Sequence, residues 1–159
     1  MNVKILCVGK IKESFYRDAI SEYKKRLSKY CSLEIVEVAD EKTSENSSDI
    51  EIDIIKAKEG ERILKHIKER DFVISLAIEG KEMDSVSFSK YIENLTISGN
   101  SNIIFIIGGS LGLSNEVLNK SDFKISFSKM TFPHQLMRVI LLEQIYRAMR
   151  IKNNEPYHK

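Results

Sequence analysis

The chain ends in Tyr157, His158 and Lys159. An aromatic ring can stack, an imidazole titrates near neutral pH and an ammonium can meet a phosphate, so these three residues together could handle a nucleotide. The other reading is a frayed end, as chain termini often are. Further back, residues 102–114 read NIIFIIGGSLGLS, an apolar run leading directly into Gly108, Gly109, Ser110, Leu111, Gly112 and Leu113. Glycine lets backbone approach a ligand closely. The spacing is not G-x-G-x-x-G, and no Lys-Ser/Thr pair follows the glycines, which argues against dinucleotide and P-loop chemistry. Leu111 and Leu113 make the loop apolar, better suited to a flat ring such as adenine than to phosphate. The same residues would also serve as a tight strand-to-helix turn with Ser114 as the helix N-cap.

A second loop, Phe127 to Phe132, follows another short apolar run, and Pro133 then opens a helix, where its missing N–H costs nothing. On that helix His134 and Arg138 are four residues apart, while Glu143, Arg147 and Arg150 lie on roughly the opposite side. Glu143 precedes Arg147 by four, the favourable ion-pair orientation. This row reads either as a solvated salt-bridged face or as an arginine surface for RNA phosphates. His66 sits among charges and reads as a surface residue. Cys7 and Cys31 read as structural, without a disulfide framework and in a reducing, cytoplasmic setting. No metal site is expected.

These residues must be positioned by elements. The apolar runs at 3–8, 33–38, 72–78, 103–107 and 124–128 read as strands, most without polar alternation. Helical spacing joins Phe15, Ala19, Tyr23, Leu27 and Tyr30, then Ile52 to Ile67 in a helix predicted over 49–70. A third helix runs from a cap at Asp84 or Ser85 to about Ile97, and the last spans 133–151. Residues 40–48 are polar and read as a loop. Strands alternating with helices predict an α/β domain over 1–159, with a mostly parallel sheet covered on both faces. In such sheets ligands bind beyond the carboxyl ends of the strands. That singles out the loops after Ile78, Ile107 and Ser128.

Composition narrows the classes further. With 159 residues and 42% hydrophobic content the chain is long and apolar enough for a core, which excludes intrinsic disorder. No apolar run approaches the ~18 residues of a membrane span, and the N-terminus reads as a strand rather than a signal peptide. The net charge of +2 conceals a distribution. Residues 1–30 and 120–159 each carry eight bases and three acids, while 31–119 carry nine bases and seventeen acids. If the basic ends meet in the fold, they make a surface for an anionic partner such as nucleic acid. The last helix is apolar on more than one stripe, so a subunit interface is expected there.

The segments FIIGGSLGL, SFSKMTFPHQLMRVILLEQIYRA and PYHK, with VGKIKESFYRDAISEYKKRL and KEGERIL, resemble the ribosomal RNA large-subunit methyltransferase H family. The likeness covers nearly the whole chain. It implies a SPOUT-class α/β fold with a C-terminal trefoil knot, a homodimer, and S-adenosylmethionine as methyl donor. The implied substrate is N3 of a pseudouridine in a stem-loop of 23S rRNA on the assembled ribosome. Implied cofactor contacts are Leu76, Gly108, Phe127, Ser128, Lys129, Met130, Thr131 and Phe132, which fall on the three strand ends singled out above.

Methyl transfer to a protonated ring nitrogen needs an aligned donor and an acceptor for the proton. No cysteine lies near these loops to act as a covalent nucleophile. His158, Tyr157 and Glu143 are the candidates for the base, His158 being the best by type. Arg138, Arg147 and Lys159 are expected to contact RNA phosphates or orient the substrate. In a dimer the tail could reach the partner's cofactor site. Two rival readings remain at this level: a non-enzymatic RNA-binding module, and a nucleotide-binding oxidoreductase with an unusual glycine loop.

Overall fold

The strands alternate in what they bury, and that alternation sets the layers. In a computed structural model, which describes residues 1–159, strand β1 (Asn2–Val8) sends Val3, Ile5 and Cys7 to one face and Leu6 and Val8 to the other. Strand β4 (Asn102–Ile107) does the same with Ile103, Phe105 and Ile107 against Ile104 and Ile106. Both faces are therefore apolar, which is why the sequence shows continuous runs instead of alternation.

The sheet is five-stranded and wholly parallel, in the order β2-β1-β4-β3-β5, with β2 at Ser32–Val38, β3 at Phe72–Glu82 and β5 at Phe123–Ser126. Helices α1 (Ser14–Leu27), α3 (Ser85–Ile97) and α5 (His134–Lys152) cover one face. Helices α2 (Asp49–Leu64) and α4 (Asn115–Lys120) cover the other. Asp84 is the cap of α3, its carboxylate accepting from the Ser87 N–H at 2.7 Å.

Strand β5 ends at Ser126, two residues before its expected end, and three other elements depart further from the sequence reading. Helix α2 ends at Leu64, not at Arg70. Beyond it lie mostly charged, exposed residues, with Ile67 packing on the core, and the Asp71 carboxylate accepts from the Lys68 N–H to turn the chain into β3. Helix α4, unpredicted apart from its cap, is a short turn begun by Ser114, whose hydroxyl accepts from the Val117 N–H. Buried Gly60 makes room for it, since an added Cβ there would overlap Ser114 Oγ. Strand β3 continues four residues past its expected end, with a register shift against β5 between Leu76 and Lys81. Residues 77–80 bulge out of the ladder at that point, beside the carboxyl end of β5.

Candidate functional site

The bulge after Leu76, the glycine loop after β4 and the loop after β5 converge. They enclose a cavity of about 160 Å3 with a mostly apolar lining. Leu76, Gly108, Phe127, Ser128, Met130, Thr131 and Phe132 all line it, as do Ile78, Leu113, His134 and Met137. Lys129 does not line it and is exposed. A strand-loop-strand frame thus brings together seven of the eight residues expected to hold a cofactor.

The glycine loop is closed by its own backbone. Gly112 N–H donates to the Gly109 carbonyl at 3.1 Å, and Gly112 has φ +86°, a conformation that favours glycine. A Cβ on Gly108 would meet the Gly112 backbone at 2.9 Å. Gly108 is therefore required by the loop's own tight fold, whatever ligand lies beyond it. Beneath the loop lies Glu59, only 5% exposed, whose carboxylate accepts from the Glu41 N–H at 3.0 Å. Burial pushes its carboxyl up from the ordinary range.

In the loop 127–132 one backbone N–H has a protein partner: Met130 donates to Ser128 Oγ at 3.0 Å. The N–H groups of Phe127, Ser128, Thr131 and Phe132, residues that line the cavity, have no partner within the chain. His134, at the first turn of α5, is half-buried. Burial, and then the Arg138 guanidinium, hold its imidazole below the ordinary range.

A second hollow adjoins the first. It is lined by Asp84, Ser85, Gln144 and His158 and shares Ile125, Phe127 and Phe132 with the cavity. The tail reaches this hollow because it is anchored. Glu155 accepts from Lys29 Nζ at 2.9 Å and from the Tyr30 hydroxyl, and pairs with Arg150 Nη1 at 2.6 Å. Arg150 Nη2 also donates to the Pro156 carbonyl. The Tyr157 ring lies under the Arg147 guanidinium at 4.7 Å and edge-on to Tyr146 at 4.9 Å. The tail is thus docked rather than frayed.

The candidate bases differ in what they already hold. Glu143 accepts from Arg147 at 2.6 and 3.0 Å, from Gln144 at 2.8 Å and from the Tyr157 hydroxyl at 3.2 Å. Its oxygens are spent on positioning. Burial, and then Glu143, push the Tyr157 phenol up to about 12, which keeps it a proton donor at neutral pH. His158 is exposed, and its Nδ1 lies 3.3 Å from Arg147 Nη1. Arginine only donates, so this contact places the proton of a neutral His158 on Nε2.

Arg138 is not an RNA-facing residue. It is 1% exposed, pairs with Glu37 at 2.6 Å and donates to the Val8 and Gly9 carbonyls at 3.1 and 2.7 Å. Its helical position places it over the carboxyl ends of β1 and β2, where it satisfies backbone that no strand reaches. Arg147 is three-quarters buried against Glu143. Lys159 is exposed.

The family model described as "Predicted SPOUT methyltransferase" matches residues 1–158. A "Ribosomal RNA large subunit methyltransferase H" of Clostridium botulinum (strain Hall) is 63% identical over the whole length of both chains. The chain belongs to this family of SPOUT methyltransferases. A "Putative ribosomal RNA large subunit methyltransferase H" of Methanococcus maripaludis is 65% identical, again over both full lengths. Among solved structures, a probable methylase family protein of Haemophilus influenzae Rd KW20 shares the fold. Its TM-score is 0.57 at 15% identity, covering 99% of this chain and 70% of that one. No helix is long and apolar enough to cross a membrane, and no three His, Cys, Asp or Glu side chains converge as a metal site.

Within this SPOUT methyltransferase the sequence reading missed His134 and Met137 as cavity residues. Their spacing of three on a helix that starts at the cavity mouth was the available signal. It also missed Ser85 and Gln144, joined by a 2.7 Å hydrogen bond across α3 and α5. No local motif marks that pair.

Proposed function

We propose that this chain transfers a methyl group from S-adenosylmethionine to N3 of a pseudouridine in a stem-loop of 23S rRNA. It would do so on the assembled ribosome, in the cytoplasm and as a homodimer. The observation that carries this reading is the pair of adjoining hollows with Phe127 and Phe132 as a common wall. One is apolar and edged by free backbone groups. The other presents His158 and the amide of Gln144. The names of the relatives support the RNA substrate.

The cavity lining suits the adenine end of the proposed donor. Leu76, Leu113 and Met137 give flat apolar contact for an adenine ring, and the unclaimed N–H groups of 127–132 give a ring edge its partners. When bound, S-adenosylmethionine supplies an electrophilic methyl on a sulfonium that departs as a neutral thioether. The protein's own share is alignment and proton management. Phe127 and Phe132 separate the hollows and fix the approach of one ligand to the other. Ser85 holds Gln144, so its amide is fixed where a base edge would lie. His158 presents Nε2–H while Arg147 occupies Nδ1. Seating of the base in the hollow that breaks the long Arg147 contact, with Arg147 still held by Glu143, frees Nδ1 to accept the N3 proton. Glu143 and Tyr157 keep Arg147 and the tail in register.

The test is transfer of labelled methyl from S-adenosylmethionine to intact ribosomes and to free rRNA. Label in ribosomes, with little in free RNA, is the expected result. A protein that binds S-adenosylmethionine yet labels neither would refute the reading.

A further inference from the structure

We propose that the groove between α1 and the carboxyl ends of β1 and β2, lined by Lys10, Arg17 and Lys24, is a docking surface for the sugar-phosphate backbone of an RNA. The inference rests on the reading above that RNA is the substrate. It says which face of the chain holds that RNA.

The arginines that the sequence offered for phosphate are committed elsewhere. Arg138 is buried at the carboxyl ends of β1 and β2 and paired with Glu37, Arg147 is held by Glu143, and Arg150 by Glu155. The groove supplies what they do not. It measures about 600 Å3 and holds Lys10, Arg17 and Lys24, none of which takes part in any of the chain's seven ion pairs. Its one acid, Glu37, is already matched, at 2.6 Å to Arg138 and at 2.9 Å to the Ile11 N–H. Ile11, Ile20 and Ile35 give the floor an apolar character suited to sugar and base faces. Arg17 Nη1 donates to the Ile11 and Lys12 carbonyls at 3.3 and 3.1 Å, which stiffens the wall that carries Lys10. Arg138 also lines the groove, but its charge is matched by Glu37, so the net positive charge there comes from Lys10, Arg17 and Lys24.

The groove also leads to the reaction site. Lys12 N–H donates to Gln135 Oε1 at 3.1 Å, docking the wall onto the first turn of α5. A Cβ added to Gly9 would lie 3.8 Å from His134 Nε2, and His134 lines the cofactor cavity. A strand lying along Lys24, Arg17 and Lys10 is thereby led to the cavity mouth. The +5 balance of residues 1–30, diffuse in the sequence, acquires a location.

The test compares the full-length protein with the double variant Lys10→Glu/Lys24→Glu, which leaves the bracing Arg17 in place. Lys58→Glu/Lys120→Glu, on α2 and α4 across the sheet, is the charge control. Ribosome binding is measured over a range of salt, with S-adenosylmethionine affinity and sedimentation alongside. Loss of two phosphate contacts should lower the slope of log affinity against log salt by about 1.5, and affinity about tenfold or more at low salt. The groove variant should bind S-adenosylmethionine as the parent does and reach the same transfer rate at saturating ribosomes. The control should match the parent. An unchanged salt slope would overturn the proposal, and so would a dimeric parent whose groove variant sediments as a monomer, since a second copy would then fill the groove. A parent that binds no RNA at all would overturn both this and the functional reading, a failure visible before any substitution.

Discussion

Arg138 and Arg147 share one helix, and their environments assign them opposite duties. Arg138 has no exposed surface to offer a phosphate and closes the ends of two strands instead. Truncating it leaves the Val8 and Gly9 carbonyls without their donor and Glu37 with only the Ile11 N–H, so Arg138→Ala should cost about 2 kcal/mol. Urea unfolding would register this as a lower midpoint at constant slope, and an unchanged midpoint would contradict the assigned role. Sequence spacing could place Arg138 four residues after His134, but not show that β1 ends beneath it. His134 carries a pH prediction. Its folded imidazole lies below the ordinary range through burial, so the folded state holds fewer protons than the unfolded one. Its contribution to stability is therefore complete above the ordinary imidazole value of about 6.5 and is lost as pH falls below it. Unfolding free energies between pH 7 and 5 should fall, and His134→Asn should flatten part of that fall. An identical slope in the variant would remove His134 as a source.

At the scale of elements, the strand ends were the readable part. Continuous apolar runs predict a parallel sheet, and the parallel sheet points to the loops after Ile78, Ile107 and Ser128; within them it is the family resemblance, not the pattern, that names Leu76, Gly108 and Phe127 to Phe132. The bulge in β3 was not readable, because residues 77–80 carry no signal beyond a single Gly80 and depend on how β5 pairs beside them. Nor was the docking of the tail, which depends on Lys29 and Tyr30 at the end of α1, far away in sequence. Deleting Tyr157, His158 and Lys159 should leave the fold and S-adenosylmethionine affinity close to the parent's. Single-turnover transfer to ribosomes should fall about 100-fold or more, the scale of lost acid–base catalysis. Glu155→Gln, which loosens the anchor but keeps the ring and the imidazole, should give a smaller loss of about tenfold, within the reach of misplacement. Equal transfer by the truncated protein would show that the tail only covers the site.

For the whole molecule, the apolar excess of α5 is partly explained within one chain. Leu141, Leu142, Ile145, Ala148 and Met149 pack against α1, α3 and the sheet. Leu136, Val139 and Ile140 stay half-buried, and Val86, Met130 and Phe132 are exposed. This remaining apolar surface supports the proposed homodimer. Sedimentation at micromolar concentration should then give twice the 18.3 kDa chain mass, and a monomer would contradict it. The basic ends illustrate what charge counting can and cannot do. It showed that both termini are basic, but only the fold shows that C-terminal arginines are consumed internally while Lys10, Arg17 and Lys24 remain unpaired. The central claim is that the two adjoining hollows join a methyl donor to one ring nitrogen of an RNA base. The most direct measurement is the identity of the methylated nucleoside, read by mass spectrometry of 23S rRNA after the protein and S-adenosylmethionine have acted on ribosomes that lack the modification. The account predicts a single new methyl, on N3 of a pseudouridine. A methyl on a ribose, on another base or on another atom of pseudouridine would contradict it.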